Sequence, residues 1–312
     1  MRLIKRMRLN KPQQTKRDIH GVLLLNKPAG MSSNAALQTV KRHLTARKAG
    51  HTGSLDPFAT GMLPLCFGEA TKFSQYLLEA DKTYTVIACL GKRSTTGDTE
   101  GELFDERSYD AIELTQIIEG LQHFFGESLQ IPPMYSALKH QGQPLYRLAR
   151  QGLVIDRPAR PIHIKDIVFI AYQAPYLHFQ VTCSKGTYIR QLVEDLGEYL
   201  GCGAYTFSLH RLEVAPYKAD MMVEMDTFLN AIEMQGVEYA LQHYLLAVDA
   251  PIQHLPALIL NAAEVLALQQ GKQLVMTEEQ PALMRLFCAE KGFFGVGQCE
   301  QRILTVKRLL TV

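Results

Sequence analysis

Residues 49–72 restrict the fold of this chain more than any other stretch, because helix-breaking residues recur along the whole segment. They are Gly50, Gly53, Pro57, Gly61, Pro64 and Gly68. At an interior helix position glycine costs about 1 kcal/mol and proline about 3 kcal/mol relative to alanine. The segment is therefore predicted to be a long loop with specified backbone angles. Its apolar residues argue against disorder, and a long ordered loop inside a domain is usually functional.

Asp56 is the residue of this loop that most strongly suggests chemistry. It precedes Pro57, so its backbone is kept out of the helical region and its side chain can bond its own backbone. On spacing alone, a turn-forming role explains Asp56 as well. The apolar surroundings, and His51 five residues earlier, favour a functional acid.

Length and composition indicate a globular intracellular protein. With 312 residues the chain exceeds one typical domain, which predicts one large domain with a small appendix or two domains. No apolar run approaches the length of a membrane span and the N-terminus lacks the apolar centre of a signal peptide, so we expect a cytoplasmic protein with no membrane partner. The six cysteines have no metal-ligand spacing, which predicts reduced thiols and no metal site.

Residues 1–18 are predicted to form a basic N-terminal arm. Seven lysines and arginines and no acid occur in residues 1–17, although the net charge of the whole chain is only +2. Such an arm could contact phosphates. A solubilising tail explains the same composition.

Hydrophobic periodicity predicts strands mixed with helices. We expect strands at 21–25, 84–90, 162–171, 176–183 and 204–214, and helices from Ser32 or Ser33 to Arg47 and over 109–125, 187–200, 222–234 and 237–246. The absence of regular βαβ repetition predicts an α+β core over residues 19–250. Residues 255–312 are predicted to be a separate small unit with a helix at 261–270 and strands at 293–296 and 303–310.

Two polar segments interrupt this pattern. Residues 92–107 are predicted to be a surface loop in which Asp98 and Asp105 are solvated. Residues 134–160 combine basic and aromatic side chains, which suits stacking on bases and contact with phosphates, but a helix with a charged face is an equal alternative. These side chains are Tyr135, Lys139, His140, Tyr146, Arg147, Arg150, Arg157 and Arg160.

Four segments, in order, resemble the motifs of the TruB-type tRNA pseudouridine synthases. The run Gly-His-Thr-Gly-Ser-Leu-Asp-Pro at 50–57, with Ala-Thr-Gly at 59–61, is similar to the catalytic-aspartate motif of that family. Residues 21–31 resemble its lysine-proline motif, Lys-Thr-Tyr at 82–84 its tyrosine motif, and Cys-Ser-Lys-Gly-Thr-Tyr-Ile-Arg at 183–190 its arginine motif. The shared order and spacing make this resemblance specific.

The resemblance implies a fold and a reaction. The fold is α+β, with the mixed sheet of pseudouridine synthases over 19–250 and a PUA-like RNA-binding β domain over 255–312. An insertion at about 134–160 would clamp the RNA. The family isomerises the uridine at position 55 in the T-loop of tRNA, which implies the tRNA T-stem-loop as partner and a monomer. That chemistry needs no redox cofactor, metal or nucleotide, and neither a P-loop nor a dinucleotide fingerprint is found.

The resemblance also implies roles for individual residues. Asp56 would be the catalytic carboxylate and Arg190 its neutralising partner, with Lys27 supporting the cleft. His51 would fill the place of the flipped base and Tyr84 would stack on it, while Tyr188 and Leu209 would contact the nucleotide. Without the resemblance, each of these residues has a simpler interpretation. His51 would be a turn residue, and Tyr84 and Leu209 would be core residues. Arg190 would bind phosphate or pack on the surface.

Some positions depart from the commoner family pattern, and two other functions remain open. Asn26 replaces an acid, Thr83 and Thr85 flank Tyr84 where bases are frequent, and His210 stands where arginine is common. These differences concern RNA affinity rather than the chemistry. The alternatives are a tRNA-binding protein that assists folding and a pseudouridine synthase that acts on another RNA.

Overall fold

The computed structural model describes residues 15–311, so most of the basic arm predicted at 1–18 lies outside the described residues. The eight α-helices of this part are α1 (Ser33–His43), α2 (Ser74–Glu79), α3 (Leu114–His123), α4 (Leu145–Ala149), α5 (Ile189–Tyr199), α6 (Met225–Gln235), α7 (Val237–Tyr244) and α8 (Ala262–Gln269). Short 3₁₀ helices span Gly68–Phe73, Ala219–Met221 and Ala250–Ile252. Every helix within 15–311 is too short or too polar to span a bilayer.

The same residues form nineteen strands. They are β1 (Gly21–Lys27), β2 (Ala49–His51), β3 (Thr60–Phe67), β4 (Lys82–Leu90), β5 (Arg93–Ser94), β6 (Leu103–Phe104), β7 (Gly126–Gln130), β8 (Lys139–His140), β9 (Gln143–Pro144), β10 (Arg160–Gln173), β11 (Tyr176–Cys183), β12 (Ala204–Val214), β13 (Val223–Glu224), β14 (Leu245–Leu246), β15 (Ala257–Leu260), β16 (Leu274–Val275), β17 (Leu283–Cys288), β18 (Gly292–Glu300) and β19 (Ile303–Leu309).

Ten strands form one mixed sheet in the order β13-β1-β3-β12-β4-β11-β10-β7, with β14 paired to β1 and β2 paired to β3. The pairs β1/β13 and β3/β12 are parallel and the others are antiparallel. The predicted strands at 162–171, 176–183 and 204–214 are confirmed as β10, β11 and β12. The first helix ends at His43 rather than Arg47, and Thr45 follows with a left-handed backbone (φ +52°) that no α-helix accommodates.

The prediction of one long loop over residues 49–72 is wrong for most of that segment. Residues 49–51 and 60–67 are β2 and β3, and only residues 52–59 are irregular; we call these eight residues the aspartate loop. The apolar run in β3 is buried from Gly61 to Phe67. A strand that is covered on both faces tolerates the helix breakers, because burial of its side chains outweighs local preference.

Gly61 is required where β3 meets β12. Its φ is +104°, and a Cβ at this position would lie 2.3 Å from the Arg211 carbonyl oxygen. A side chain would force the two strands apart. The close approach brings Arg211 of β12 against the end of the aspartate loop.

The sheet is covered on both faces. Along β1, Leu23 and Leu25 pack with Val40 of α1 and Phe228 of α6, whereas the alternating residues Val22 and Leu24 belong to a separate apolar cluster. Helices α3 and α5 cover the β4/β11 region through a third cluster, which includes Ile117, Leu192, Tyr84 and Leu209. The candidate site residues Tyr84 and Leu209 therefore lie at the edge of the largest core.

The C-terminal residues form a second, five-stranded sheet in the order β15-β17-β18-β19-β16, with α8 packed beside it. The predicted helix and the two predicted strands are present, and the sequence pattern missed β15, β16 and β17. Lys72 Nζ links this unit to the large one through the Leu309 carbonyl (2.8 Å) and Thr311 Oγ1 (2.6 Å). Arg285 Nη1 pairs with Asp249 Oδ2 at 2.9 Å.

Candidate active site

The backbone on both sides of Asp56 is anchored to the turn between β1 and α1 and to the first residue of α1. The buried hydroxyl of Ser33 accepts a hydrogen bond from the Leu55 N–H (2.7 Å) and donates one to the Leu55 carbonyl (3.0 Å). The Gly30 N–H donates to the Pro57 carbonyl at 2.9 Å. Asp56 is thus held by its neighbours before any side-chain contact is made.

Lys27 supports the same loop from the end of β1. Its side chain is fully buried, and Nζ donates to the carbonyls of Pro28 (2.8 Å), Met31 (2.8 Å) and Pro57 (3.3 Å). Burial lowers the pKa of Lys27 to about 8, and the charge of Asp56 opposes that shift. The ammonium therefore joins the β1–α1 turn to the aspartate loop.

Arg190 lies in the first turn of α5 and contacts Asp56 directly. The helix begins at Ile189 rather than at the predicted residue 187, and Tyr188 is its N-cap. The Tyr188 N–H donates to Gln130 Oε1 (2.8 Å) and the Gln130 amide donates to the Tyr188 carbonyl (3.0 Å), which fixes the start of the helix. Arg190 is only 4% exposed.

The guanidinium of Arg190 is held on all sides. Nε lies 2.9 Å from Asp56 Oδ2, and Nη1 lies 3.3 Å from Asp98 Oδ2. Nη1 also donates to the Thr96 carbonyl and Nη2 to the Tyr135 carbonyl, both at 2.6 Å. The Asp56 side chain remains 39% exposed, so its carboxylate is paired on one side and open on the other.

The prediction that Asp98 is solvated is wrong. Asp98 is 2% exposed, its Oδ1 accepts from Thr96 Oγ1 (2.5 Å) and the Glu100 N–H (2.9 Å), and its Oδ2 pairs with Arg190. Its sequence neighbours are polar, and its partner stands far along the chain in α5, so local pattern carried no sign of burial. Asp105 lies at the surface in ion pairs with Arg107 and Arg93.

Two carboxylates therefore share one buried cation. Burial raises the pKa of Asp56, the Arg190 charge opposes that shift, and the negative charge of Asp98 adds to it. Arg190 thus favours ionisation of the half-open carboxylate, whereas Asp98 makes its protonation easier.

The aromatic and apolar residues predicted for the site line the same region. Tyr84 is buried in β4, where it lies opposite Val181 of β11 and Arg211 of β12. Tyr84, Leu209 and Leu55 of the aspartate loop belong to one apolar cluster. Burial raises the pKa of Tyr84, with Arg211 opposing, and burial also raises the pKa of half-buried Tyr188. Both phenols are accordingly neutral near pH 7.

His51 ends β2 and is half-buried, with Nδ1 enclosed and without a hydrogen-bond partner among residues 15–311. Burial and the charge of Arg211 lower the pKa of His51, so its ring is neutral at neutral pH. The charged neighbour that His51 and Tyr84 have in common is Arg211. Sequence reasoning missed that arginine, although a basic residue inside an apolar strand is an unusual signal.

Three family models match the chain in succession. Residues 41–189 match the TruB family pseudouridylate synthase N-terminal domain, residues 190–253 the tRNA pseudouridylate synthase B C-terminal domain, and residues 256–310 the pseudouridine synthase II TruB C-terminal model. A protein named tRNA pseudouridine synthase B from Mannheimia succiniciproducens is 50% identical over 93% of this chain and 95% of its own length. The chain belongs to the TruB family of pseudouridine synthases. Its relative of the same name from Pasteurella multocida is 49% identical over 96% of this chain and 98% of its own length.

Solved structures agree with this TruB assignment at the level of fold. The crystal structure of a Cbf5-Nop10-Gar1 complex contains a chain with a TM-score of 0.70 and 23% identity, covering 93% of this chain and 84% of that one. The Nop10-Cbf5 complex of the archaeal box H/ACA sRNP contains a chain with a TM-score of 0.67 and 22% identity, covering 94% of this chain and 86% of that one. The expected α+β architecture is confirmed: a mixed-sheet pseudouridine synthase core carries a small PUA-like C-terminal β domain.

Proposed function

We propose that this protein converts the uridine at position 55 in the T-loop of tRNA to pseudouridine. The observation that carries the proposal is the Asp56 carboxylate, 2.9 Å from a buried guanidinium and open on its other side. Cleavage of a glycosidic bond develops positive charge on a sugar carbon, which an adjacent carboxylate stabilises or attacks. The curated names of its relatives support the same activity.

The reaction breaks the bond between uracil N1 and ribose C1′, turns the base, and joins C5 to C1′. The proton on C5 is then lost and N1 gains one, so no electron is transferred and no atom is added. Asp56 serves as the catalytic residue, either by attack on the sugar or by removal of a proton. Both first steps need an ionised carboxylate, which the Arg190 charge favours.

The target uridine must leave its stack, which costs a few kcal/mol. Tyr84 stacks on the flipped base, a contact that contributes about 1–3 kcal/mol, and Tyr188 and Leu209 contact the nucleotide. His51 fills the vacated place; a neutral ring suits this because it carries no charge to desolvate. Lys27 acts on the loop backbone rather than on substrate.

Two further parts are proposed to bind the RNA. The 134–160 insertion contains the β8–β9 hairpin and α4, and ends in a stretch where Val154 is 81% exposed. An exposed apolar and basic insertion beside Arg190 suits a clamp on the T-loop. Residues 255–312 are proposed to hold the neighbouring stem. The protein is further proposed to act in the cytoplasm as a monomer. Light scattering of the purified protein would test the monomeric state.

The test is to map every modified position in an unmodified tRNA transcript treated with the pure protein. Pseudouridine at position 55 alone is the expected result. A transcript with a changed T-loop sequence is the matched control, and it should stay unmodified. Binding of tRNA with no isomerisation would favour a tRNA-binding protein that assists folding. Modification at other positions or in another RNA would favour a pseudouridine synthase that acts on another RNA.

Asp98→Asn is expected to shift the acidic limb of the pH–rate profile to lower pH by about one unit. The substitution removes a negative charge that raises the pKa of Asp56, so Asp56 stays ionised to lower pH. The plateau rate should fall about tenfold because Arg190 loses one anchor. The profile is measured between pH 4.5 and 8 with a T-stem-loop RNA.

Asp105→Asn provides the control for this profile, since Asp105 lies in a surface ion pair with Arg107. Its pH dependence should match the wild type. An acidic limb in Asp98→Asn that stays in place or moves to higher pH would contradict the assigned electrostatic role.

A further inference from the structure

Arg211 is a buried cation beside the site that no step proposed above uses. It is 1% exposed and stands in the middle of the sheet, opposite Tyr84 of β4 on one side and Gly61 of β3 on the other. Among residues 15–311, no carboxylate lies within ion-pair distance of its guanidinium. A charge kept in such a place without a counter-ion is costly and calls for a function.

Its hydrogen bonds reach both ends of the aspartate loop. Nε donates to the Met62 carbonyl at 2.6 Å, in β3 three residues past the loop, and Nη2 donates to the carbonyl of Gly53, the second residue of the loop, at 3.1 Å. Asp56 lies between these two carbonyls in sequence. One planar guanidinium therefore holds a carbonyl on each side of Asp56 through two separate, fixed donors, an arrangement that an ammonium, with its donors on one atom, does not reproduce.

The same guanidinium faces the aromatic residues of the site. Arg211 is the cross-strand partner of Tyr84, and its charge opposes the effect of burial on the pKa of Tyr84. It also contributes to the lowered pKa of His51. The groups that bear on Tyr84 from other elements are Asp56 and Cys183; burial raises the pKa of Cys183 to about 12, so that thiol is neutral.

We propose that Arg211 is a positioning residue that clamps the two ends of the aspartate loop and sets the Asp56 carboxylate against Arg190 and the Tyr84 ring. The inference rests on the proposed function, because the loop matters through the reaction at Asp56. Arg211 does not touch the reacting atoms. Its contribution is to the geometry of the bound state rather than to RNA affinity.

The experiment compares Arg211→Gln and Arg211→Lys with the wild type. Single-turnover rates of pseudouridine formation and dissociation constants are measured on a T-stem-loop RNA. A misplacement of about 1 Å costs about 100-fold in rate, so Arg211→Gln should lose about that factor with a dissociation constant within threefold of the wild type. The rate of Arg211→Lys should fall between those two, since lysine keeps the charge but does not reproduce the two separate donors of the guanidinium, Nε and Nη2.

Arg107→Gln is the matched control, because it makes the same substitution at an arginine outside the site. The Arg107 guanidinium pairs with Asp105 and Glu198 at the surface rather than with the aspartate loop. This variant should keep the wild-type rate within threefold even if its melting temperature falls. Equal rates for Arg211→Gln and the wild type would overturn the proposal, as would a loss of rate matched by an equal loss of RNA binding.

A readout independent of activity separates this inference from the proposed function. Hydrogen–deuterium exchange of the peptide covering 52–62 should accelerate at least tenfold in Arg211→Gln and stay unchanged in Arg107→Gln. Unchanged exchange in Arg211→Gln would overturn the clamp whatever the activity. A wild type that forms no pseudouridine would instead refute the function, with the exchange result still deciding whether the loop is clamped.

Discussion

Asp56→Asn is expected to lower the rate of pseudouridine formation on tRNA by at least about 10³-fold, the largest effect of any single substitution. The amide has the size of the carboxylate, but it carries no negative charge and neither attacks a sugar carbon nor accepts a proton at neutral pH. Release of tritium from C5 of labelled uridine in a tRNA transcript measures the loss, because the isomerisation leaves the mass of the unlabelled RNA unchanged. Binding of tRNA should remain within a few-fold of the wild type.

Asp105→Asn is again the comparison, because it removes a carboxylate from the surface ion pair with Arg107. It should leave the rate unchanged. Turnover by Asp56→Asn at a rate near the wild type would refute the role of Asp56 and, with it, the proposed mechanism.

Arg190→Met is expected to reduce both the rate and the stability. The methionine fills much of the space but leaves Asp98 buried without its cation and Asp56 without its partner. Removal of one member of a buried ion pair costs about 3–5 kcal/mol, and the rate should fall by about 10²–10³-fold because the carboxylate is neither oriented nor kept ionised. Thermal unfolding and single-turnover kinetics on the same preparation measure the two effects.

The pH dependence of this loss has a definite sign. Arg190 opposes the rise in the pKa of Asp56 that burial causes, so without it Asp56 of the folded protein takes up its proton at higher pH than in the wild type. The stability of the variant relative to the wild type therefore rises as the pH falls. The gap in melting temperature between variant and wild type should narrow from pH 8 to pH 5. A gap in melting temperature that widens from pH 8 to pH 5 would contradict the assigned effect of the Arg190 charge on Asp56.

Arg190→Lys separates charge from geometry. An ammonium preserves the charge, but it cannot reach Asp56, Asp98 and the carbonyls of Thr96 and Tyr135 together. We expect it to recover part of the stability and little of the rate. Full recovery of the rate would mean that charge alone, without the fork geometry, is sufficient.

The motifs predicted the family and the pairing of Asp56 with Arg190, and the structure brings those two side chains to 2.9 Å. This was possible because each motif is a local run of residues. The catalytic and binding roles of the seven named residues remain predictions. The strand pattern was also readable over 176–183, where buried side chains alternate with partly buried ones along β11.

What the sequence did not disclose depends on distant partners. The glycines and prolines of 49–72 predicted a loop, whereas residues 60–67 form strand β3, which is buried between β1 and β12. Asp98 is polar among polar neighbours, and only the arrival of Arg190 from α5 makes it a buried ion-pair partner. Arg211 was overlooked because its two acceptors, at Gly53 and Met62, are backbone groups with no residue signature.

The position of β12 between β3 and β4 has a consequence for synthesis on the ribosome. β3 and β4 follow each other along the chain and can pair earlier with β1 and β11, but the two halves of the sheet join only when residues 204–214 have emerged and inserted between them. In a nascent polypeptide that stops before this strand, Asp56 and Tyr84 lie on two parts of the sheet that no strand pairing connects. Translation must therefore pass Val214 before a catalytic centre exists. Products that terminate earlier should form no pseudouridine.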